Sequence, residues 1–327
     1  MRLGVVGTGK IVQMVLPHLS SWGIEVAAIC GTPRSADKVA AMADEHGIPE
    51  RHTNYQELVR SEKVDTVYVA VPNSLHLDVA MAALDAGKNV ICEKPLASSA
   101  EDARRLADRA RELGLFLWEA VVTTRQPNFL LVRDELLPRI GEVKVVTVNY
   151  SQYSSRYDAF RAGEVLPAFD PAKSGGAIMD LGLYTLSYTI GLFGEPTMAE
   201  YRPNVERGID TSGVIDLDYP GFRAVNVCAK DCDAPCGVLI EGTDGYIRSD
   251  TAPNVCGSVT LHLNDGTETT FDRSLPVMWE SEFREFKRQL AESDLAECYR
   301  QLDESLVVSH VQNEVRVAAG VLFPTDK

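Results

Sequence analysis

The chain has 327 residues, 45% hydrophobic and 24% charged, which is ordinary globular material and enough for two domains with substantial cores. Its formal net charge of −15 argues against a nucleic-acid surface, which needs clustered Lys and Arg, but not against a phosphate-bearing small ligand held by backbone amides. No apolar stretch approaches the roughly 18 residues of a membrane span, and MRLGVVGTGK enters glycines too early for a signal peptide, so the expected compartment is the cytoplasm, where seven cysteines would remain free thiols.

From the first residues to about 120, near-continuous apolar runs alternate with helical patterns. Strands are expected at 3–6, 26–30, 66–71, 89–92 and 116–121, and helices at 11–21, 36–46, 55–61, 75–86 and 100–113. Strands apolar on both faces and separated by helices predict a doubly wound parallel sheet of the Rossmann type, an α/β domain.

The first strand runs straight into Gly7-Thr8-Gly9, and Lys10 and Ile11 open the helix that follows. Glycine permits a tight turn and lets a pyrophosphate approach the backbone, while the helix offers unpaired N–H groups and its positive dipole end. The third glycine of the dinucleotide fingerprint is missing, because Val12 stands there. Pro17, late in the helix, should kink or end it.

The end of the second strand discriminates between dinucleotides. NAD binding favours an acid there to accept from the ribose hydroxyls, yet the chain reads Cys30-Gly31-Thr32-Pro33-Arg34-Ser35, with no acid before Asp37. Arg34 would pair with a 2′-phosphate, helped by Thr32 or Ser35, unless it is simply a solvated arginine before a helix. The expected cofactor is therefore NADP(H), with NAD(H) possible.

The third strand ends at Pro72-Asn73, on the carboxyl edge where ligands bind in open sheets. Asn73 can donate and accept beside a ribose; His76 is either a neighbour of the cofactor or a solvated first-turn histidine. The next apolar run ends in Glu93-Lys94-Pro95, which taken alone reads as a solvated strand end. Together, Pro72-Asn73, His76, Ala83-Leu84, Gly87-Lys88 and Glu93-Lys94-Pro95 resemble, in one register, the Gfo/Idh/MocA family of glucose–fructose oxidoreductases and inositol dehydrogenases. The resemblance implies that Lys94 is catalytic, donating to a substrate oxygen and stabilising alkoxide character, and that Glu93 orients it or contacts the cofactor. It also implies a cis bond before Pro95. Glu119, at the last strand end, is a further candidate cofactor neighbour or a structural acid.

Beyond residue 120 the alternation stops. Strands are expected at 143–150, 213–217, 223–229, 237–241 and 258–263, with turn signals at Asp244-Gly245 and Asn264-Asp265-Gly266. This predicts an α+β domain, 121–327, with a large, mostly antiparallel open sheet, and helices at 279–291 and 295–319 that fold back on that sheet or on the Rossmann domain. In the family such a sheet serves as a subunit interface, so a homodimer or homotetramer is expected.

Within SGGAIMDLGLYTLSYTIGLFG, 174–194, Asp180 and Tyr184 fall one helical turn apart, with Gly182 between them. For an unknown fold the pair would be structural. The resemblance makes both catalytic, with Tyr184 moving the proton and Asp180 orienting Lys94 or a substrate hydroxyl. Tyrosine where many members carry histidine is similar to the glucose–fructose oxidoreductase, xylose dehydrogenase and dihydrodiol dehydrogenase branch. Arg125, Tyr153, Arg156 and Tyr157 are further polar candidates. Cys228, Cys232 and Cys236, spaced by four, do not match the usual zinc spacing, and no metal is expected.

The implied function is an oxidoreductase moving a hydride between NADP(H) and a secondary alcohol or ketone, or a lactol and lactone, of a sugar, cyclitol or other polyol. The alternative is a non-catalytic dinucleotide or sugar sensor on the same fold.

Overall fold

The structure, a computed structural model, describes residues 1–326. The chain forms two compact units, one of residues 1–120 with 282–306 and one of 121–281 with 307–327.

In the first unit, β1 (Arg2–Val6), β2 (Glu25–Cys30), β3 (Glu50–His52), β4 (Thr66–Val69), β5 (Asn89–Glu93) and β6 (Leu117–Ala120) make one six-stranded sheet in the order β3-β2-β1-β4-β5-β6. Every pairing is parallel. The order reverses between β1 and β4, the switch point beside which such sheets bind ligands. β3 was not expected: its three residues Glu-Arg-His carry no apolar run, and it pairs only with β2, at the sheet edge. Pro17 lies inside the helix Lys10–Leu19, which ends two residues later and tightens into a 3-10 turn, Ser20–Trp22. The helix Glu280–Glu292 contributes Phe283 and Phe286, which pack edge-on or tilted against Tyr68 and Trp118. Leu302 and Leu306, from the helix Leu295–Ala318, belong to a different cluster, with Val67, Val69 and Leu117.

The second unit is built on an eight-stranded sheet. Its strands are β7 (Val143–Ser151), β8 (Met198–Glu206), β9 (Ile209–Tyr219), β10 (Phe222–Ala229), β11 (Gly237–Gly242), β12 (Gly245–Ser249), β13 (Val259–Leu263) and β14 (Glu268–Phe271), in the order β14-β13-β12-β11-β7-β10-β9-β8. Only β7 and β10 run parallel; the other neighbours are antiparallel. β8 and β14 escape the sequence pattern because they are edge strands, largely exposed and without a buried alternation. One sheet face is the core: Val146, Val148, Ile215, Leu217, Ala224, Ile240, Ile247 and Leu261 bury against Leu183, Leu186 and Ile190 of the helix Leu183–Phe193. Each of the valine, leucine and isoleucine side chains contributes about 1.5–3 kcal/mol. The residues between them on the strands keep partial exposure, as on a sheet open on one side.

Among the described residues no helix is long and apolar enough to cross a membrane.

The end of the second unit is held by a buried ion pair. Arg316 has no exposed surface; its two terminal nitrogens reach the Asp326 carboxylate at 2.6 and 2.8 Å, and its guanidinium lies 4.0 Å from the Phe323 ring centre. Burial alone would raise the Asp326 carboxyl, but bonds from Arg316 and the Phe323 amide outweigh it and hold the group below the usual carboxylate range. Its stabilisation is therefore complete at neutral pH and is lost as the pH falls through that depressed value. Asp326→Asn should lower stability by about 3 kcal/mol at neutral pH. In thermal melts across pH, the deficit against the parent protein should shrink as the parent carboxyl becomes protonated.

Candidate active site

At the end of β1, Gly7 has φ +131 and donates its amide to the Cys30 carbonyl at 2.8 Å. A Cβ there would overlap the carbonyl oxygen of Ala70, just past β4, so only glycine lets these two strand ends lie side by side. Gly9 is the opposite case. It caps the helix Lys10–Leu19 with ordinary backbone angles and no side-chain cap bond, and a Cβ on it would meet nothing within 4 Å. Open space beside the first amides of a helix is what a diphosphate requires. Thr8, Lys10 and Ile11 flank this space, while Val12, where a third glycine would stand, is buried under the helix.

At the end of β2, Arg34 sits exposed in a 3-10 turn, Pro33–Ser35, and makes no ion pair with a described residue. Thr32 and Ser35 cap that turn reciprocally, and their hydroxyls lie 3.2 Å apart. Both are thus engaged locally, and Arg34 is the group left to meet an anion.

The ends of β4 and β5 carry Pro72, Asn73, Glu93 and Lys94, and the Lys94–Pro95 bond is cis. His76, at the start of the helix His76–Asp85, corrects both expectations for it. It has no exposed surface, and its two ring nitrogens face the Pro95 carbonyl at 2.7 Å and the Val71 carbonyl at 3.0 Å. Burial pushes its pKa below the ordinary imidazole value, so the ring is neutral and its single N–H can donate to only one of the two carbonyls between which it is packed. Glu119 does similar work from β6: only 5% exposed, it accepts the Leu96 amide at 2.8 Å. That contact accounts for the acid as a brace of the loop after Lys94. Glu93 accepts from the Tyr68 hydroxyl, and burial raises both groups, so the phenol keeps its proton and donates it. Lys94 is thus presented, partly exposed, from a loop fixed at Glu93, Pro95 and Leu96.

In the second unit, Asp180 lies in a π-helical turn, Ile178–Gly182, that leads into the helix carrying Tyr184. Such turns mark places where a regular helix is locally widened, often at functional positions. Gly182 permits it: a Cβ would press on Ile178 at 3.1 Å and on the Cys228 sulfur at 3.3 Å. Asp180 forms an ion pair at 2.9 Å with Lys230, a residue the sequence reading passed over. The signal was there, since Lys230 follows an apolar strand as Lys94 does. Tyr184 is half-buried, its ring centre 5.9 Å from that of Tyr150. Of the further candidates, Tyr157 is buried and bonds Glu206 at 2.6 Å, and Arg125 is buried and donates to the Val121 carbonyl at 3.2 Å. Tyr153 is exposed and bonds Asp158, and Arg156 is exposed. All cysteines are free thiols, and no cluster of metal-ligating side chains occurs among the described residues.

Residues 1–121 match a family model described as an oxidoreductase family with an NAD-binding Rossmann fold, and residues 138–248 match the GFO/IDH/MocA C-terminal domain. A scyllo-inositol 2-dehydrogenase (NADP(+)) of Bacillus subtilis is 33% identical, covering 100% of this chain and 99% of its own. A D-xylose 1-dehydrogenase (NADP(+)) of Haloferax volcanii is 31% identical, covering 82% of this chain and 81% of its own. The crystal structure of a 3-ketoreductase from Actinomadura kijaniata in complex with NADP superposes with a TM-score of 0.80 at 25% identity, covering 97% of each chain. A trans-1,2-dihydrobenzene-1,2-diol dehydrogenase of Sus scrofa, 29% identical over 100% of this chain and 99% of its own, joins the xylose enzyme in the branch that Tyr184 resembles, and an inositol dehydrogenase stands beside them.

The two glycines should separate cleanly by substitution. Gly7→Ala should lower stability by about 2 kcal/mol or more, read as a lower thermal midpoint, because both its backbone angle and its space exclude a methyl group. Gly9→Ala should leave stability within about 0.5 kcal/mol of the parent. Equal melts for the two variants would contradict this assignment of space.

Proposed function

The chain belongs to the Gfo/Idh/MocA oxidoreductase family, and from that premise we propose that it is an NADP(H)-preferring dehydrogenase or reductase. Its substrate is a sugar, cyclitol or similar polyol, interconverted between secondary alcohol and ketone or between lactol and lactone. NAD(H) is the lesser cofactor. One observation carries the reading: the space over Gly9 at the amino end of a helix, with an exposed Arg34 and no acid at the neighbouring strand end.

When bound, the dinucleotide supplies the carbon that accepts or gives the hydride. The backbone from Gly7 to Ile11 holds its diphosphate, Arg34 pairs with the 2′-phosphate, and Pro72 and Asn73 border its ribose. Lys94 donates to the reacting substrate oxygen and stabilises the alkoxide charge that forms there as the alcohol loses its proton, or as hydride arrives at the ketone carbon in the reverse direction. Tyr184 takes up or returns that oxygen's proton. Asp180 accepts from a substrate hydroxyl and keeps the polyol in register.

The names of the relatives favour cyclitols and aldoses as first substrates to try, and the 3-ketoreductase favours ketosugars in the reverse direction. A sensor without chemistry would have no use for an ammonium held on a braced loop and an acid held by a buried lysine. The half-exposed face of the eight-stranded sheet is the proposed contact between subunits, with Val214, Val225, Val227 and Leu239 at its centre.

NADPH formation should be followed with scyllo-inositol, myo-inositol and D-xylose, and NADPH consumption with the corresponding ketones. Binding of NADPH without turnover across that panel would favour the sensor. Arg34→Ala should weaken NADP binding about tenfold or more while leaving NAD binding nearly unchanged. Parallel losses for both cofactors would remove Arg34 from the 2′-phosphate. Tyr184→Phe should reduce kcat by roughly a hundredfold or more with little change in NADPH affinity; undiminished turnover would reject its proton role.

A further inference from the structure

We propose that Lys230 is the positioning residue of the Asp180 carboxylate, a buried ammonium that fixes the acid from beneath. The inference rests on the reading of Asp180 as part of the reaction.

Lys230 directly follows β10, and its amide donates to the Thr211 carbonyl at 2.8 Å, so its backbone continues the sheet. Its side chain is only 3% exposed, an expensive place for an ammonium unless it is paired and hydrogen-bonded. The partners are specific. Nζ lies 2.9 Å from Asp180 Oδ2, donates to the Ala168 carbonyl at 3.0 Å, and stands 4.8 Å from the centre of the Phe169 ring. The carbonyl and the ring set where the ammonium can sit, and the ammonium then sets where Asp180 can point. Asp180 keeps 42% of its side chain exposed, while its lysine partner is almost wholly buried.

The acid's backbone is fixed independently. Asp210, with no exposed surface, accepts the Ile178 amide at 2.7 Å and the Tyr201 hydroxyl at 2.8 Å, and so anchors the first residue of the π-helical turn. Two adjacent strands therefore grip one turn at two points: β9 through Asp210 at its backbone, and β10 through Lys230 at its side chain. The titratable groups around the pair are Asp210 on β9, Tyr201 on β8, Cys228 on β10, Asp231 beside Lys230, and Tyr184 with Tyr150. Burial pushes the Asp210 carboxyl and the Cys228 thiol up, and Lys230 opposes that shift in both.

Lys230→Met, Asp180→Asn and the double variant should be compared for thermal midpoint, NADPH affinity, kcat and KM, on whichever inositol or xylose substrate the parent turns over. The expected result for Lys230→Met is a kcat lower by roughly ten- to a hundredfold, with NADPH affinity unchanged. The double variant should be no slower than Asp180→Asn alone, because both changes disable one group. An activity-independent readout is a carbon-13 titration of the Asp180 carboxyl, identified by its loss in Asp180→Asn. Without the ammonium its midpoint should move up by about one pH unit or more. If Lys230→Met does not fold, Lys230→Gln takes its place, keeping a donor for Ala168 without the charge. Parent turnover in the lysine variants, strictly multiplicative losses in the double variant, or an unmoved carboxyl titration overturns the proposal. Parent turnover in Asp180→Asn overturns the catalytic reading of Asp180 itself, whereas loss there with an intact Lys230 variant overturns only the role of Lys230.

Discussion

A carboxyl group sealed from water must be met by donors, and in the second unit that requirement falls on Asp210. Its Oδ2 takes the Ile178 amide and the Tyr201 hydroxyl, and a Cβ at Gly176 would run into its Oδ1. Gly176 in turn has φ +111, a conformation that glycine adopts without strain. So the entry to the helix of Asp180 and Tyr184 is not set by helix propensity. It is set by one buried acid reaching across from β9, and by a glycine that gives it room. Unmet, that acid would cost on the order of the whole contribution of several core side chains.

The first unit solves a similar problem with backbone carbonyls and amides. The loops after β4 and β5 have no regular partners of their own, yet the chemistry assigned to Lys94 needs its loop held to a fraction of an ångström. His76 spans the two loops through Val71 and Pro95, Glu119 takes the Leu96 amide, and Tyr68 fixes Glu93. Most of the polar groups that looked functional in this region serve as braces. Their burial explains why: a histidine or glutamate with almost no exposed surface can orient a neighbour but offers little to a ligand.

Parallel strands covered on both faces are unbroken apolar runs, so β1, β2, β4, β5 and β6 could be read from sequence nearly to their ends. The helices 36–46 and 100–113 coincide with Ala36–His46 and Ala100–Leu113, each closed by a left-handed glycine, Gly47 or Gly114. Edge strands β3, β8 and β14 were illegible because exposure removes the alternation that burial imposes, whereas the interior strand β12 was missed because its first residue, Gly245, belongs to the Asp244-Gly245 turn signal. The same logic limits the site. Gly7, Gly9, Lys94, Asp180 and Tyr184 sit in local patterns that a linear reading can catch. Lys230 is 50 residues from Asp180 in sequence and pairs with it only because β9 and β10 bring the strand end under the π-helical turn. The sequence of His76 and Glu119 was equally silent on whether they face inward, since burial is a property of the assembled layers.

What distinguishes the groups left exposed is then informative. Arg34 has been given no carboxylate partner, on a turn whose own hydroxyls are satisfied, and Gly9 has been given no neighbour. Both features cost stability little and gain nothing within the chain, which is the signature of positions shaped for a ligand. The braced groups show the reverse economy: Asp180 is tied down by Lys230, itself almost without exposed surface, and Lys94 stands on a loop held by the buried His76 and Glu119. Affinity for an anionic cofactor tolerates a flexible arginine, because a charge attracts over several ångströms. Proton and hydride movement does not, because a displacement of about 1 Å can cost a hundredfold in rate. On the proposed roles, the division between loose and fixed side chains follows the division between binding and chemistry.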